Sequence, residues 1–391
     1  MPHWFPQTYQ SEAVKQGADG STISCALETA RKLVKRTTGA PPIFTLKHLS
    51  LLAQVDYRFM RELIASDRNK AYKVFRIHKR SPDQSGRKRY RTICVPDARL
   101  MRLQKWINQL VLSVLRPHDA SVAFSEGDQI VKAAQRHCGC RWLIKIDILS
   151  FFESVDEAKV YWVFRQAGYQ PLIAFELARI CTRVGGTSRF RNNQRWRNFV
   201  VPLPTISAYH QPSLGYLPQG APTSPRLANL VMRFFDEEVS KLAKQYGLIY
   251  TRYADDLAFS TDSADFSRDK AQVLIHKVYQ LLGRHGFRPN VAKTSIATPG
   301  ARRVVLGLLV DGDKPALTKE FRKNMRLHLH YICQPDHGAA KHAEARSFVT
   351  IYGMRNYLLG LIAYAGQVDP VLAEEWKKKM LAAKWPLIEH T

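Results

Sequence analysis

Three carboxylates stand out by position. The stretch RYADDLAF, residues 252 to 259, sets Asp255 and Asp256 side by side between two apolar runs, LIYT and LAFS, that read as β-strands. Adjacent carboxylates repel, and each prefers water. A tight turn between paired strands would carry the pair to a rim, where a divalent cation makes the crowding favourable. Mg²⁺ suits such a rim, because it takes carboxylate oxygen, water and substrate phosphate in preference to a closed protein cage. Two such ions about 4 Å apart activate one oxygen and stabilise the leaving one in phosphoryl transfer. A third carboxylate on a neighbouring strand would complete the site, and Asp147 is the candidate. It closes the apolar strand IKID, where a lone charge has no other structural reason to stand. Aspartate is common in turns and at strand ends, so none of the three is diagnostic alone. The combination of Asp-ended strand, Asp-tipped hairpin and strong basicity is far more specific.

The 391-residue chain carries 59 Lys and Arg against 33 Asp and Glu, a net charge of +26. That charge is spread through a sequence that is 45% hydrophobic, not gathered in low-complexity tails. It points to a large polyanionic partner, nucleic acid above all. A merely basic soluble protein is the plain alternative. No run approaches the roughly 20 apolar residues of a membrane span, and the N-terminus has no basic-then-apolar signal pattern. The six cysteines lack a disulfide-framework layout, which fits a reducing cytoplasm. HCGC at 137 to 140 has no second ligand pair at finger-like spacing and reads as a turn before a strand.

The elements that must position these groups follow from periodicity and caps. Helices are expected at 24 to 37 and 45 to 66, then two strands at 72 to 81 and 89 to 96 joined by the polar PDQSGRK as a hairpin. Residues 98 to 115 read as helix, and CRWLIKIDI (140 to 148) as a buried strand ending at Asp147. Helices follow at about 155 to 167, 171 to 184 and 223 to 245, the last with Pro225 in its first turn, where proline is tolerated. LIYTRYADDLAFST gives two strands around a tight turn. A helix and the short strand pair RRVVLGLLVDG come next, and from about 318 the chain is nearly all helix and rich in Lys and Arg.

YADD (253 to 256) resembles the (Y/F)xDD hairpin of reverse transcriptases, and IKIDILSFFESV (144 to 155) resembles their first palm motif. LPQGAPTSPRLANL (217 to 230) is similar to the QGxxxSP motif, RTICVPDARLMRLQKWI (91 to 107) to the fingers motif of the bacterial enzymes, and LGLLV (306 to 310) to the strand pair that grips the primer. The motifs stand in the family's order across residues 72 to 310. The resemblance implies an α+β right-hand polymerase: 1 to 70 and 71 to 140 as fingers, 141 to 312 as palm with a basic insertion near 185 to 216, and 313 to 391 as helical thumb.

Residue by residue, the resemblance makes Asp147, Asp255 and Asp256 the ligands of two Mg²⁺ ions. Phe152 takes the sugar-gate position, where an aromatic ring collides with a 2′-OH and selects dNTPs. Its alternative is a core phenylalanine. Gln219 and Gly220 match the floor beneath the nucleotide, Lys79 and Arg91 the triphosphate-binding pair, and Lys293 a lysine that protonates pyrophosphate. In the insertion, Arg189, Arg191, Arg195 and Arg197 alternate with Phe190 and Trp196 around an Asn-Asn turn. Such a pattern suits RNA phosphate contact and base stacking, or else a solvated hairpin covering the palm.

The QGAPTSP wording and the short stretch beyond YADD, with room for one helical thumb and no ribonuclease H or integrase, resemble compact retron-type enzymes. Those enzymes copy part of their own structured non-coding RNA from a guanosine 2′-OH. They yield a branched RNA–DNA that helps control a toxic effector protein in antiphage defence. Two retron elements depart from pattern: Ala133–His137 keeps Ala and His but lacks Asn, and Val305-Leu306-Gly307 has Leu for Thr. His137 is therefore a candidate RNA contact, with a capping or satisfied histidine as its alternative. A defence-associated or group II intron-like enzyme remains open, as does an inactive RNA-binding protein that has kept a polymerase fold.

Overall fold

The structure is a computed structural model that describes residues 4–65, 68–78, 90–124, 127, 129–185 and 214–385. Helices α1 (Pro6–Lys15), α2 (Gly20–Arg36), α3 (Leu46–Ala53) and α4 (Tyr57–Ala65) open it. The single helix expected over 45 to 66 breaks at Gln54, which takes a left-handed φ of 51°. Beyond it Asp56 restarts the helix by accepting from the Phe59 N–H at 2.7 Å. Strands β1 (Tyr72–His78) and β2 (Tyr90–Pro96) pair antiparallel as the expected hairpin. Helix α5 (Ala98–Trp106) is capped by Asp97, whose carboxylate accepts from Leu100 N–H at 2.8 Å, and continues as a π-helical turn over Ile107–Leu112.

Helix α6 (Ile130–Gln135) leads through the HCGC turn into β3 (Trp142–Asp147). Next come α7 (Phe151–Ser154), α8 (Glu157–Ala167), α9 (Pro171–Cys181), α10 (Ser224–Val231) and α11 (Arg233–Gln245). The last two replace the one helix expected from 223 to 245 and divide at Met232. Strands β4 (Ile249–Tyr253) and β5 (Asp256–Thr261), helix α12 (Arg268–Arg284) and strand β6 (Ser295–Ala297) complete an antiparallel sheet of order β4-β5-β3-β6.

Alternation along these strands gives the sheet two apolar faces. Ile144, Ile146, Leu257 and Phe259 point into a core shared with α8 to α12 and the N-terminal helices. Leu143 and Ala258 point the other way, into a second core. That core is built by β7 (Val304–Val305), β8 (Leu308–Leu309), β9 (Ala316–Leu317) and the four helices α13 (Lys319–Cys333), α14 (Gly338–Ala345), α15 (Ile351–Gly366) and α16 (Pro370–Ala382). Gly307, at φ 85°, turns β7 into β8 so tightly that a Cβ there would stand 3.1 Å from the Tyr364 hydroxyl of α15. That hydroxyl donates to the Leu306 carbonyl at 3.3 Å, so the C-terminal helices rest directly on the strand pair.

Candidate active site

In the pairing of β3 with β5, Asp147 and Asp256 are direct partners, and Tyr253 pairs with Asp256 across the β4–β5 hairpin. Ala254 and Asp255 form its turn, with Ala254 at a left-handed φ of 54°. A left-handed backbone costs an alanine about 1–2 kcal/mol, so its surroundings must hold it. The Ile148 N–H donates to the Asp255 carbonyl at 2.9 Å, tying the turn to the end of β3. Three aspartates thereby meet at one end of the sheet.

Asp147 is 5% exposed. Its carboxylate accepts from Asn290 Nδ2 at 2.7 Å and from Lys293 Nζ at 2.6 Å. Its carbonyl accepts from the Asn290 N–H at 2.7 Å. One 3-10 turn, Val291–Lys293, brings both side chains to the same carboxylate. Burial pushes the Asp255 carboxyl up to about 6, and the charges of Asp256 and Asp147 push it the same way. Asp256 is also raised, by burial first and then by Asp147, against the pull of Lys145 and Lys293.

This end of the sheet is short of positive charge. Lys293 offsets part of one carboxylate, while the other two are held above their usual range. Hard oxygen donors with excess negative charge fit Mg²⁺. Among the described residues, no three His, Cys, Asp or Glu side chains are drawn together closely enough to enclose a metal ion. Asp147 is turned to Asn290 and Lys293, and an open Mg²⁺ site completes its shell with water and substrate phosphate.

The other expected residues fall unevenly. Phe152 is half-buried at the start of α7, its ring 5.5 Å from that of Phe151, which is in the core. Gln219 and Gly220 lie against the β1–β2 hairpin: the Gln219 carbonyl accepts from the Cys94 N–H at 2.7 Å. The space beside Gly220, at φ 110°, is filled by the Cys94 carbonyl 3.0 Å away and by Ile93. The close approach that needs glycine here is therefore to strand β2. Arg91 is exposed on β2, opposite Ile77. Lys79, Arg189, Arg191, Arg195 and Arg197 lie outside the described residues.

His137 corrects an expectation. It is fully buried, with Nδ1 2.7 Å from Ser260 Oγ and Nε2 2.7 Å from Thr251 Oγ1, so it bridges β5 and β4 and is not placed to touch RNA. Asn290 is the partner of Asp147 that the sequence reading missed. Its only signal was its place three residues before Lys293, one short turn away.

An antiparallel sheet whose end carries three aspartates, backed by helices and flanked by a strand hairpin and a helical lobe, defines a polymerase of right-hand build. Residues 77–322 match the family model "Reverse transcriptase (RNA-dependent DNA polymerase)", and the chain belongs to that family. It is 30% identical over 297 residues to the retron Ec86 reverse transcriptase of Escherichia coli, covering 76% of this chain and 81% of that one. It is 31% identical to the retron Mx65 reverse transcriptase of Myxococcus xanthus, covering 80% of this chain and 65% of that one. A solved telomerase from Candida albicans aligns at a TM-score of 0.40 and 12% identity, over 79% of this chain and 62% of that one, a likeness too distant to add to the assignment. The protein is an RNA-directed DNA polymerase of retron type. Its family works with divalent metal ions and an RNA template. No helix of the described residues is long and apolar enough to cross a membrane.

Proposed function

We propose that the protein copies a dedicated structured non-coding RNA into single-stranded DNA that stays covalently joined to it (msDNA), using two Mg²⁺ ions. We further propose that it does so in the cytoplasm, in antiphage defence with an effector toxin. The observation that carries the catalytic part is the three-aspartate end of the sheet, short of positive charge, in a chain aligned with retron enzymes over most of its length.

Asp147, Asp255 and Asp256 would hold the ions, which when bound activate the attacking hydroxyl and stabilise the leaving pyrophosphate. Asp255, its carboxyl raised to about 6, would bind as the carboxylate. Lys293, which donates to Asp147, would protonate the departing pyrophosphate. Phe152 excludes a 2′-OH, so dNTPs are the substrates. Gln219 and Gly220 floor the nucleotide site, with Gly220 also admitting strand β2. Lys79 and Arg91 neutralise the triphosphate, as preorganised cations do where charge develops. Arg189, Arg191, Arg195 and Arg197 contact RNA. In this reading residues 1–140 are fingers, 141–312 palm and 313–391 thumb.

The test is the nucleic acid that copurifies with the protein, run on a denaturing gel before and after ribonuclease and debranching treatment. DNA that shifts when its RNA is removed supports the reading. Free DNA with no attached ribonucleotide contradicts branched priming. RNA alone, with none extended when dNTPs are supplied, contradicts the polymerase itself.

A further inference from the structure

Directly beneath the catalytic turn lies a buried polar network that the roles above leave unused. Arg252, Asp236 and Asn229 are 0%, 0% and 1% exposed. Arg252 Nε donates to Asp236 Oδ1 at 2.8 Å and Nη2 to Asp236 Oδ2 at 2.6 Å, a two-pronged ion pair. Nη1 donates to Asn229 Oδ1 and to the carbonyl of Ala254, each at 3.0 Å. The Tyr250 hydroxyl adds a bond to Asp236 Oδ1 at 2.8 Å, and Asn229 Nδ2 donates to the Ala123 carbonyl at 2.6 Å. The Arg252 backbone is fixed as well, its N–H donating to Ala120 O at 2.7 Å and its carbonyl accepting from Val122 N–H at 2.9 Å.

A buried ion pair is a poor way to gain stability, since apolar residues of similar volume often do as well or better. What this one supplies is direction. The guanidinium fork cannot move without breaking its bonds to α10 and α11, and its remaining donor grips the carbonyl of Ala254. That carbonyl belongs to the peptide linking Ala254 to Asp255, at the one residue of the turn held in left-handed backbone. The orientation of this peptide fixes where the Asp255 and Asp256 side chains leave the chain.

We infer that Arg252 is a positioning residue for the metal site: held by Asp236 and Asn229, it fixes the Ala254–Asp255 peptide and with it the direction in which the Asp255 and Asp256 carboxylates leave the turn. The inference rests on reading Asp255 and Asp256 as metal ligands. Groups that orient metal ligands typically lower metal affinity or activity about 10–100-fold when lost.

Two variants test it. Arg252→Lys keeps the charge and loses the fork. The double variant Arg252→Met, Asp236→Leu removes both charges and leaves no unpaired buried ion. Each is followed by thermal melting, by Mn²⁺ binding from the paramagnetic resonance of free Mn²⁺, and by dNTP incorporation across a Mg²⁺ titration. The expected result is a protein that melts near wild type, binds Mn²⁺ about 10-fold more weakly, and needs correspondingly more Mg²⁺ for half-maximal synthesis, with high Mg²⁺ restoring part of the rate. A folded variant whose Mn²⁺ affinity and Mg²⁺ midpoint both match wild type overturns the inference. So does failure of both variants to fold, which would make the network a folding device. Asp255→Asn is the control: if it binds Mn²⁺ as wild type does, the metal reading itself has failed, separately from the role of Arg252.

Discussion

An aspartate raised to about 6 by burial and by two neighbouring carboxylates costs the metal-free protein stability. Below the unfolded value near 4, both states are protonated and nothing is lost. As pH rises toward 6 the unfolded chain releases the Asp255 proton while the folded chain retains it, so stability falls over that window. Asp255→Asn, neutral throughout, should therefore melt above wild type in chelator at pH 7, with the gap closing near pH 4. Equal melting temperatures at pH 7 would show that Asp255 is not under this strain. Phe152 is the second residue-level case, half-buried where Phe151 is fully so. Phe152→Ala should lower the preference for dNTPs over rNTPs on one template by about 10-fold or more, a typical effect of reshaping a pocket by a few carbons. An unmoved ratio would return Phe152 to the core. The meeting of the three aspartates was legible because an Asp-ended apolar strand, an Asp-tipped hairpin and strong basicity stand in one sequence, although each alone has common structural uses. Asn290 and Arg252 were not, because an asparagine in a turn and an arginine in a strand each have common structural uses.

The β1–β2 and β4–β5 hairpins and strand β3 were legible as elements, from apolar runs with turn residues between, whereas the short strands β6 and β9 were not expected. Helix breaks were less so. Gln54 and Met232 divide helices that periodicity alone would run through, and nothing in their residue types announces it. His137 shows the same limit between elements. Its partners Thr251 and Ser260 lie 114 and 123 residues away, so a bridge between β4 and β5 could not be told from an RNA contact. Burial, with help from Arg136, lowers its ring to about 4. The unfolded chain takes up that proton from about pH 6.5 downward, so the stability held by neutral His137 is lost as pH falls toward 4. His137→Ala should cost about 2–4 kcal/mol, from two lost hydrogen bonds and the space left behind. Denaturant melts measure this, and RNA affinity at a temperature where the variant is folded should be unchanged. Weakened RNA binding without lost stability would restore the contact role.

At the scale of the whole molecule, the net charge of +26 sets how the enzyme meets its template. Each phosphate neutralised on a single strand adds about 0.7 to the steepness of log affinity against log salt. Replacing Arg189, Arg191, Arg195 and Arg197 with Gln should flatten that slope by as much as about 3 if all four touch RNA. An unchanged slope and affinity would make the segment a cover and not a contact. Motif order pointed to the right-hand fold, whereas the sheet's two cores, the fit of Gly220 against β2 and that of Tyr364 against the Leu306–Gly307 turn could not be read from the sequence. The most direct test of the catalytic site is primer extension on an RNA template with Mg²⁺, comparing wild type with Asp255→Asn. The substitution keeps shape and removes ligand charge. RNA binding should persist while dNTP incorporation falls by at least about 10²–10³-fold, the scale of losing one preorganised electrostatic group. Incorporation at the wild-type rate would contradict the three-aspartate site as the seat of the chemistry.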